Sequence, residues 1–373
     1  MTSDPEPLVI VTANGLYCPP GDFYIDPCID PWQPEHSVGN PEKRQGRDAG
    51  QPVHSAGNPE KRQGRDAGQP VQTAVITHGH SDHLRHGSAR YILARPGAGI
   101  ARQRLGGDRE LAPVEYGTRH SLGATIVSLH PAGHILGSAQ VRIEHEGRVW
   151  VVSGDYKRQP DPTCAPFEPV ECDVFISEAT FALPVYRWPQ TSQVVEEIHR
   201  WWRTNRERGI ASTLFCYALG KAQRVLSELR AFTDEPVYVH GAVDSLTGVY
   251  RRAGVSMLPT RPVGTDKRTD YRGALILAPP SAAGTPWMRR FGEHATGFCS
   301  GWMRVRGDRR RRGYDRGFVI SDHADWPALI DTCSASRARR ILLTHGYCDA
   351  LTRYFNEKGI EASALKTSYG EED

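Results

Sequence analysis

Apolar residues follow two rhythms along the chain, and each rhythm predicts a different kind of element. From Ala74 to about Tyr186, short apolar runs alternate with turn residues, which is typical of strands. From Thr191, apolar residues recur at the spacing of a helix, with acidic residues between them. We therefore predict a strand-rich first part and a change of architecture near residue 187.

Strands and helices alternate in the part that follows. The predicted elements span residues 211–216, 237–240 and 274–278 as strands, and 220–232 and 245–253 as helices. Such alternation indicates a parallel sheet. Because the strand pattern of the first part resumes near Phe318, we predict that this sheet is an insertion.

Residues 36–53 are repeated almost letter for letter as residues 54–71. The repeat is rich in Gly, Pro, Asn, Arg and Gln, and it has no apolar period of either kind. Its arginines (Arg44, Arg47, Arg62 and Arg65) could form a basic arm that contacts phosphate. Acids accompany them in each copy, so we favour a duplicated, solvated and disordered loop over 36–71.

Charge and composition narrow the class of protein. The chain has 373 residues and a net charge of +3, so any nucleic-acid interface must be local. No signal sequence precedes the first strands and no apolar run reaches membrane-spanning length. The eight cysteines are scattered without a Cys-x-x-Cys pair. These features predict a cytoplasmic protein with reduced thiols and no membrane partner.

A dense cluster of polar side chains follows the apolar run that ends at Thr77. The stretch His78-Gly79-His80-Ser81-Asp82-His83 places three imidazoles and a carboxylate within one loop. Neutral imidazole and carboxylate are ligands that transition metals accept. A solvated His-rich turn is the alternative. We favour a metal site, and the spacing suits two ions better than one.

The stretch resembles the signature of the metallo-β-lactamase fold. Later motifs resemble those of the β-CASP nucleases of this fold, namely Glu178 at a strand end, Ser321-Asp322-His323-Ala324-Asp325, and Thr344-His345-Gly346-Tyr347. The resemblance implies an α/β protein, a metallo-β-lactamase αββα sandwich with an inserted β-CASP α/β domain. The implied division is 1–186 and 318–373 for the sandwich and 187–317 for the insertion.

The resemblance also implies a ligand set for two divalent metal ions, with zinc favoured and manganese as the alternative. The implied ligands are His78, His80 and His134 for one ion, Asp82, His83 and His345 for the other, and Asp155 between them. A supporting carboxylate is expected after the first strands, and Asp26 and Asp30 compete for that role.

Three residues are assigned to the reaction itself. His323 is predicted to give a proton to the leaving oxygen, and Glu178 is predicted to orient it. Asp82 is counted with them in addition to its role as a ligand. A histidine that caps the helix beginning at Trp326 is the structural alternative for His323.

Basic residues in two places are candidates for substrate binding. Lys221 and Arg224 stand at the start of a predicted helix, where they could hold a phosphate or simply lie on the surface. A second group lies in the segment from Trp302 to Arg316, where seven arginines accompany Trp302 and Tyr314. They are Arg304, Arg306, Arg309, Arg310, Arg311, Arg312 and Arg316, and the first four are assigned to substrate. Arginines among aromatic residues suit a nucleic-acid groove, and a solvated hairpin is the alternative.

Similarity over most of the chain extends to the ligase-associated DNA exonucleases of bacteria. It rests on residues 16–23, 186–188, 287–291 and 321–326. The implied function is metal-dependent hydrolysis of DNA that is single-stranded or has free ends, in DNA repair with an ATP-dependent DNA ligase and a helicase. RNA processing by a β-CASP nuclease, or hydrolysis of a small molecule by the same fold, are the alternatives.

Overall fold

The computed structural model describes residues 6–28, 71–107, 109–264, 269–305 and 313–365. Its strands are β1 (Ile10–Thr12), β2 (Gly15–Cys18), β3 (Phe23–Ile25), β4 (Val71–Ile76), β5 (Ser88–Ala94), β6 (Glu110–Val114), β7 (His120–Leu122), β8 (Thr125–Pro131), β9 (Ala139–His145), β10 (Arg148–Val152), β11 (Val174–Ala179), β12 (Ala211–Phe215), β13 (Val237–Val239), β14 (Thr260–Pro262), β15 (Leu275–Ala278), β16 (His294–Cys299), β17 (Arg316–Phe318), β18 (Arg340–Gly346) and β19 (Glu361–Ala364). Its α-helices are α1 (Ala98–Leu105), α2 (Thr191–Glu207), α3 (Lys221–Glu228), α4 (Gly241–Arg252), α5 (Trp326–Ala335) and α6 (Cys348–Glu357). These elements confirm the mixed α/β class. None of the described helices is both long and apolar enough to cross a lipid bilayer.

The first sheet has the order β1 to β6, with an antiparallel start and parallel strands from β3 onward. Side chains of a strand point alternately to the two faces of its sheet. In β4, Val75 therefore packs toward the second sheet, whereas Ala74 and Ile76 pack with Ala101 and Leu105 of α1 on the opposite face. The sheet is covered on both faces.

The second sheet has the order β19-β18-β11-β10-β9-β8-β7 and is parallel from β10 to β19. Ile176 of β11 packs toward the first sheet, and its neighbour Phe175 packs toward Leu329 of α5 and Phe355 of α6. Two sheets thus lie face to face with a helical layer on each outer side. The carboxyl ends of β4, β10, β11 and β18 meet at one edge of this sandwich.

The third sheet has the order β14-β13-β15-β12-β16-β17, and all of its pairs are parallel, as the sequence predicts. Helices α2, α3 and α4 pack on one face, and Phe215 and Phe298 contribute to a second cluster. Its strands come from the chain between β11 and β18. The sequence-based boundary between residues 317 and 318 falls inside β17, and the division into domains stays a prediction.

The structure corrects one end of the repeated segment. Val71, the last residue of the second copy, is the first residue of β4 and is only 2% exposed. The predicted loop therefore extends one residue too far, because that valine packs in the core and pairs with Ser88 of β5. The remaining residues of the repeat lie outside the described ranges.

Deletion of residues 54–71 is expected to leave folding and catalysis nearly intact. Both copies end in valine, so the deletion places Val53 directly before Gln72 and restores the buried side chain of β4. Shortening a long connection changes its closure entropy little, by about 0.6 kcal/mol per halving of its length. The measurement is the melting temperature together with the nuclease rate.

The matched control is the same deletion with Val53→Asp, which should lower the melting temperature because it buries an unpaired charge at the start of β4. A large loss of stability or rate in the plain deletion would mean that the repeat packs on the protein or contacts substrate.

Candidate metal centre

The predicted ligands of the His-rich stretch lie in the loop after β4. The carbonyl of His80 accepts hydrogen bonds from the backbone N–H groups of His83 (3.2 Å) and Leu84 (2.8 Å), which folds the loop back on itself. Gly154, with φ +55°, lets a loop of the second sheet approach, since a Cβ there would lie 2.6 Å from Cβ of Thr77. Ligands from both sheets are therefore brought together.

One set of donor atoms comes from three histidines and an aspartate. His80 Nδ1 lies 3.1 Å from His78 Nε2 and 3.0 Å from His134 Nε2, and Asp155 Oδ2 lies 3.3 Å from His78 Nε2 and 3.8 Å from His134 Nε2. Four atoms with lone pairs thus face one point. This is the arrangement that a single divalent ion requires.

A second set shares Asp155. His83 Nε2 lies 3.5 Å from Asp82 Oδ2 and 3.5 Å from Asp155 Oδ2, and His345 Nε2 lies 3.4 Å from Asp155 Oδ1. The side chains of Asp82 and His345 are 20% and 16% exposed, whereas those of the first set's His78, His134 and Asp155 are at most 1% exposed. The metal centre is therefore open to solvent at Asp82 and His345, and His80 of the first set is also partly exposed.

The outer nitrogens of the imidazoles are held by partners on different sheets. Asp26 binds His83 Nδ1 at 2.7 Å and also accepts from the hydroxyl and the N–H of Thr77 at 2.5 and 2.7 Å. The structure thus gives Asp26 the supporting role, and Asp30 lies outside the described residues. Such partners fix the tautomer and the orientation of a metal-binding histidine.

The first set is held by backbone carbonyls instead. His80 Nε2 lies 3.3 Å from the carbonyl of Leu219, and His134 Nδ1 lies 2.7 Å from the carbonyl of Asp322. Leu219 precedes α3, and Asp322 follows β17. Both supports therefore come from segments that adjoin the third sheet, and one of them, Leu219, lies within the predicted insertion.

Burial and charge act in opposite directions on the imidazoles. Burial, reinforced by neighbouring imidazoles, holds the pKa of His78 well below its usual range. Burial also opposes the charged form of His83, but Asp155, Asp26 and Asp82 outweigh it and raise the pKa of His83 to about 10. These carboxylates create a site that favours positive charge.

The residues present fit divalent transition ions. Imidazole nitrogen and carboxylate oxygen are the donors that zinc and its neighbours accept. Asp155 Oδ1 is buried and faces His345 Nε2 at 3.4 Å without a well-formed hydrogen bond in the described part of the chain, a state that is costly for a carboxylate unless a cation is bound. The donor set therefore supports a metal centre of divalent ions.

His323 lies beside this centre and pairs with Glu178. His323 Nδ1 lies 2.8 Å from Glu178 Oε2, and Glu178 Oε1 accepts from the N–H of Tyr156 at 2.8 Å. The ring centroid of His323 is 4.8 Å from that of His134. The predicted pair is thus brought together by the ends of β11 and β17.

The acids that flank His323 in sequence have other partners. Asp322 forms an ion pair with Lys221 at 3.2 Å, and Asp325 accepts from the N–H of Ala328 at 3.1 Å as the N-cap of α5. Glu178, rather than either flanking acid, is therefore paired with the His323 ring. The predicted alternative, in which His323 caps this helix, is wrong because Asp325 occupies that place.

Parts of this chain are similar in sequence to known proteins. A probable DNA ligase from Opitutus terrae is 33% identical over 293 residues, which are 78% of this chain and 28% of that protein. Endoribonuclease YSH1 from Gibberella zeae is 30% identical over 122 residues, which are 31% of this chain and 14% of that protein. The chain thus spans less than a third of the length of these relatives. No protein-family model matches the chain.

A solved structure is similar over most of the fold. The crystal structure of a protein of unknown function from Enterococcus faecalis V583 has a TM-score of 0.54 and 13% identity, and the match covers 86% of this chain and 83% of that one. At this identity it supports the fold alone. The similarities as a whole support the metallo-β-lactamase/β-CASP nuclease family. The paired ligand sets suit that family of metal-dependent nucleases.

The structure does not support the predicted contact of Arg224 with substrate. Arg224 has no exposed surface, and its guanidinium donates to the carbonyls of Ser321 (2.8 Å) and Pro160 (3.2 Å) and to the hydroxyl of Thr191 (2.7 Å). Lys221 is only 3% exposed and pairs with Asp322. Both basic residues hold α3 on the loop that carries His323.

Two members of the predicted arginine group, Arg304 and Arg316, lie in the described ranges. Arg304 is exposed and its Nε lies 3.5 Å from the carbonyl of Val185, whereas Arg316 pairs with Glu197 at 3.7 Å. Arg306, Arg309 and Arg310 lie outside the described residues, and their contact with substrate stays a prediction.

A buried ion pair beneath the metal centre was missed by sequence reasoning. Lys157 Nζ donates to Asp161 at 2.5 Å and to the carbonyl of His134 at 3.1 Å, and both side chains are at most 4% exposed. Burial opposes the charge of Asp161, but Lys157 and Arg224 lower its pKa. The signal in the sequence was a lysine two residues after Asp155, a type that is rarely buried without a partner.

Proposed function

We propose that this protein is a metal-dependent DNA exonuclease that hydrolyses phosphodiester bonds and acts in DNA repair with a DNA ligase. The observation that carries the proposal is the pair of donor sets that meet at Asp155, with His323 and Glu178 beside them. Zinc is the favoured metal because imidazole-rich sites bind it more tightly than manganese.

Each part of the reaction has a residue to perform it. When bound, two divalent ions lower the pKa of water and polarise phosphoryl oxygens. Glu178 holds Nδ1 of His323 and orients the ring, and we assign its Nε2 to give a proton to the leaving oxygen. Asp82, partly exposed at the open side, is positioned to orient the attacking water. Asp26 keeps the His83 ring in place.

The similarity to a protein named as a probable DNA ligase favours DNA as the substrate. It covers 78% of this chain but 28% of that protein, so a segment like this chain is part of a longer polypeptide named as a probable DNA ligase. The presence of such a segment in one polypeptide with a DNA ligase favours a substrate that is the DNA on which the ligase acts. We extend this to a partnership with an ATP-dependent ligase and, in the same pathway, a helicase.

RNA hydrolysis is the second candidate. The observation that favours it is the similarity to endoribonuclease YSH1, which covers 31% of this chain. A small-molecule hydrolase would need the metal centre, but it would not need the third sheet and its helices beside that centre.

The test uses protein loaded with zinc or with manganese and end-labelled single-stranded DNA, duplex DNA and RNA of one sequence in parallel. We expect stepwise shortening of single-stranded DNA and slower cleavage of RNA. Circular single-stranded DNA is the control and should remain intact, because an exonuclease needs a free end. Cleavage of RNA alone, or of none of the three, would overturn the proposal.

A further inference from the structure

Five aromatic side chains form a cluster beside His323. Its members are Phe181, Tyr186, Trp188, Trp302 and Tyr347. Phe181 lies at the centre, with ring centroids 4.7 to 4.9 Å from three of the others and 6.0 Å from His323. Trp188 Nε1 donates to the carbonyl of His323 at 2.9 Å. The aromatic cluster is thus joined directly to the loop that carries the proposed proton donor.

The aromatic cluster reaches the surface at Tyr347. Large apolar side chains with substantial exposure are few in the described residues, and two of them, Val185 (50%) and Tyr347 (39%), lie at this cluster. The ring of Tyr347 is stacked on that of Tyr186, with centroids 6.1 Å apart and planes 30° apart. Tyr186 is buried, so Tyr347 forms the exposed end of the stack.

The backbone fixes Tyr347 close to the metal centre. His345 is a predicted ligand, and only Gly346 separates it from Tyr347. Gly346 has φ +84°, and a Cβ there would lie 2.2 Å from the carbonyl oxygen of Ala179. The N–H of Tyr347 donates to that same carbonyl at 2.8 Å. The backbone of Tyr347 is therefore held at Ala179, the last residue of β11, which follows Glu178 in sequence.

An exposed arginine adjoins the aromatic cluster. Arg304 is exposed and contacts the carbonyl of Val185, and Trp302, two residues before it, lies 6.5 Å from Tyr347 by ring centroids. An aromatic face with an arginine beside it is suited to a nucleotide, because the ring takes the base and the guanidinium takes the phosphate. A purely apolar partner would not need the charge.

We propose that Tyr347 stacks on an unpaired base of the substrate strand, next to the phosphodiester at the metal centre. The inference rests on the proposed nuclease function and deepens it, because it makes an unpaired strand the preferred substrate. A base inside a duplex has both faces covered by its neighbours, so only an unpaired or unstacked base is free to stack on the ring. Arg304 then lies along the path of the backbone.

The test is a cycle of two changes, one in the protein and one in the DNA. Tyr347→Leu keeps an apolar side chain and removes the ring, and Tyr347→Phe keeps the ring as the matched control. The substrates are single-stranded oligonucleotides with one abasic site placed at successive positions from the end. Metal content of each variant is measured as well, because His345 is close.

We expect Tyr347→Leu to lower kcat/KM on the intact strand by about 5- to 100-fold, with both ions retained, and Tyr347→Phe to stay near wild type. For wild type, an abasic site at one position should cause a similar loss. At that position Tyr347→Leu should cause no further loss, because the same contact is already missing.

Three results would overturn the inference, and they can be told apart. The stacking contact is wrong, and the nuclease function stands, if wild type cleaves DNA and Tyr347→Leu cleaves it equally fast. The same holds if the loss from Tyr347→Leu and the loss from the abasic site multiply at every position. If metal-loaded wild type cleaves no nucleic acid, the nuclease function fails and the stacking inference fails with it.

Discussion

Asp155→Ala is expected to release bound metal and to lower the rate of DNA hydrolysis by about 10³-fold or more. Asp155 faces both donor sets, with Oδ2 toward His78 and Oδ1 toward His345. Lewis-acid stabilisation by metal ions contributes several kcal/mol, and each 1.36 kcal/mol corresponds to a factor of ten in rate. The measurement is metal content per chain together with single-turnover hydrolysis.

Two further variants make this result interpretable. Asp155→Asn keeps the volume of the side chain and should also lose metal, which separates loss of the charge from a cavity in the core. Asp315→Ala removes a carboxylate that contacts Thr296 beside the third sheet, and it should keep both the metal and the rate. Full metal content in Asp155→Ala would contradict the assignment of this residue to both ions.

His323→Ala is expected to keep both ions and to bind DNA while its turnover falls by about 10²- to 10⁴-fold, as for other general acids. The donor sets already supply seven side chains, so another imidazole in contact with an ion would close the position that substrate needs. A nitrophenyl phosphodiester should be less affected, because its leaving oxygen hardly needs a proton.

The companion variant for this prediction is Glu178→Gln, which leaves His323 in place but removes the charge that holds Nδ1. We expect a smaller loss of turnover and unchanged metal content. If His323→Ala instead loses an ion, the residue is a ligand. If it hydrolyses DNA at the wild-type rate, the proton comes from elsewhere.

The grouping of the candidate ligands in space was the most predictable part of the site. His78 to His83 stand together in sequence, and Asp155 and His345 each come at or just after the end of an apolar strand. Parallel strands bring their carboxyl ends to the same edge of a sheet, which predicts that Asp155 and His345 of the second sheet lie near one another. The approach of the His78 loop from the first sheet depends on how the two sheets pack, which local sequence does not show. Glu178 and His323 needed the resemblance to a known family, because 145 positions separate them.

Supporting contacts were less predictable for two physical reasons. The carbonyls of Leu219 and Asp322 hold two of the imidazoles, and a backbone carbonyl leaves no signature in the residue type. Arg224 was expected to contact substrate because it stands in the first turn of a helix. Its burial depends on partners far away in sequence, including Asp161, which no local pattern indicates.

The most direct test of the proposed two-metal nuclease is a titration of metal-stripped protein with zinc or manganese, in which hydrolysis of end-labelled single-stranded DNA is measured at each step. We expect no hydrolysis in strong chelator, and a rate that rises to its plateau as the second equivalent binds. Full activity of the stripped protein in chelator, or a plateau at one equivalent, would contradict a centre of two ions.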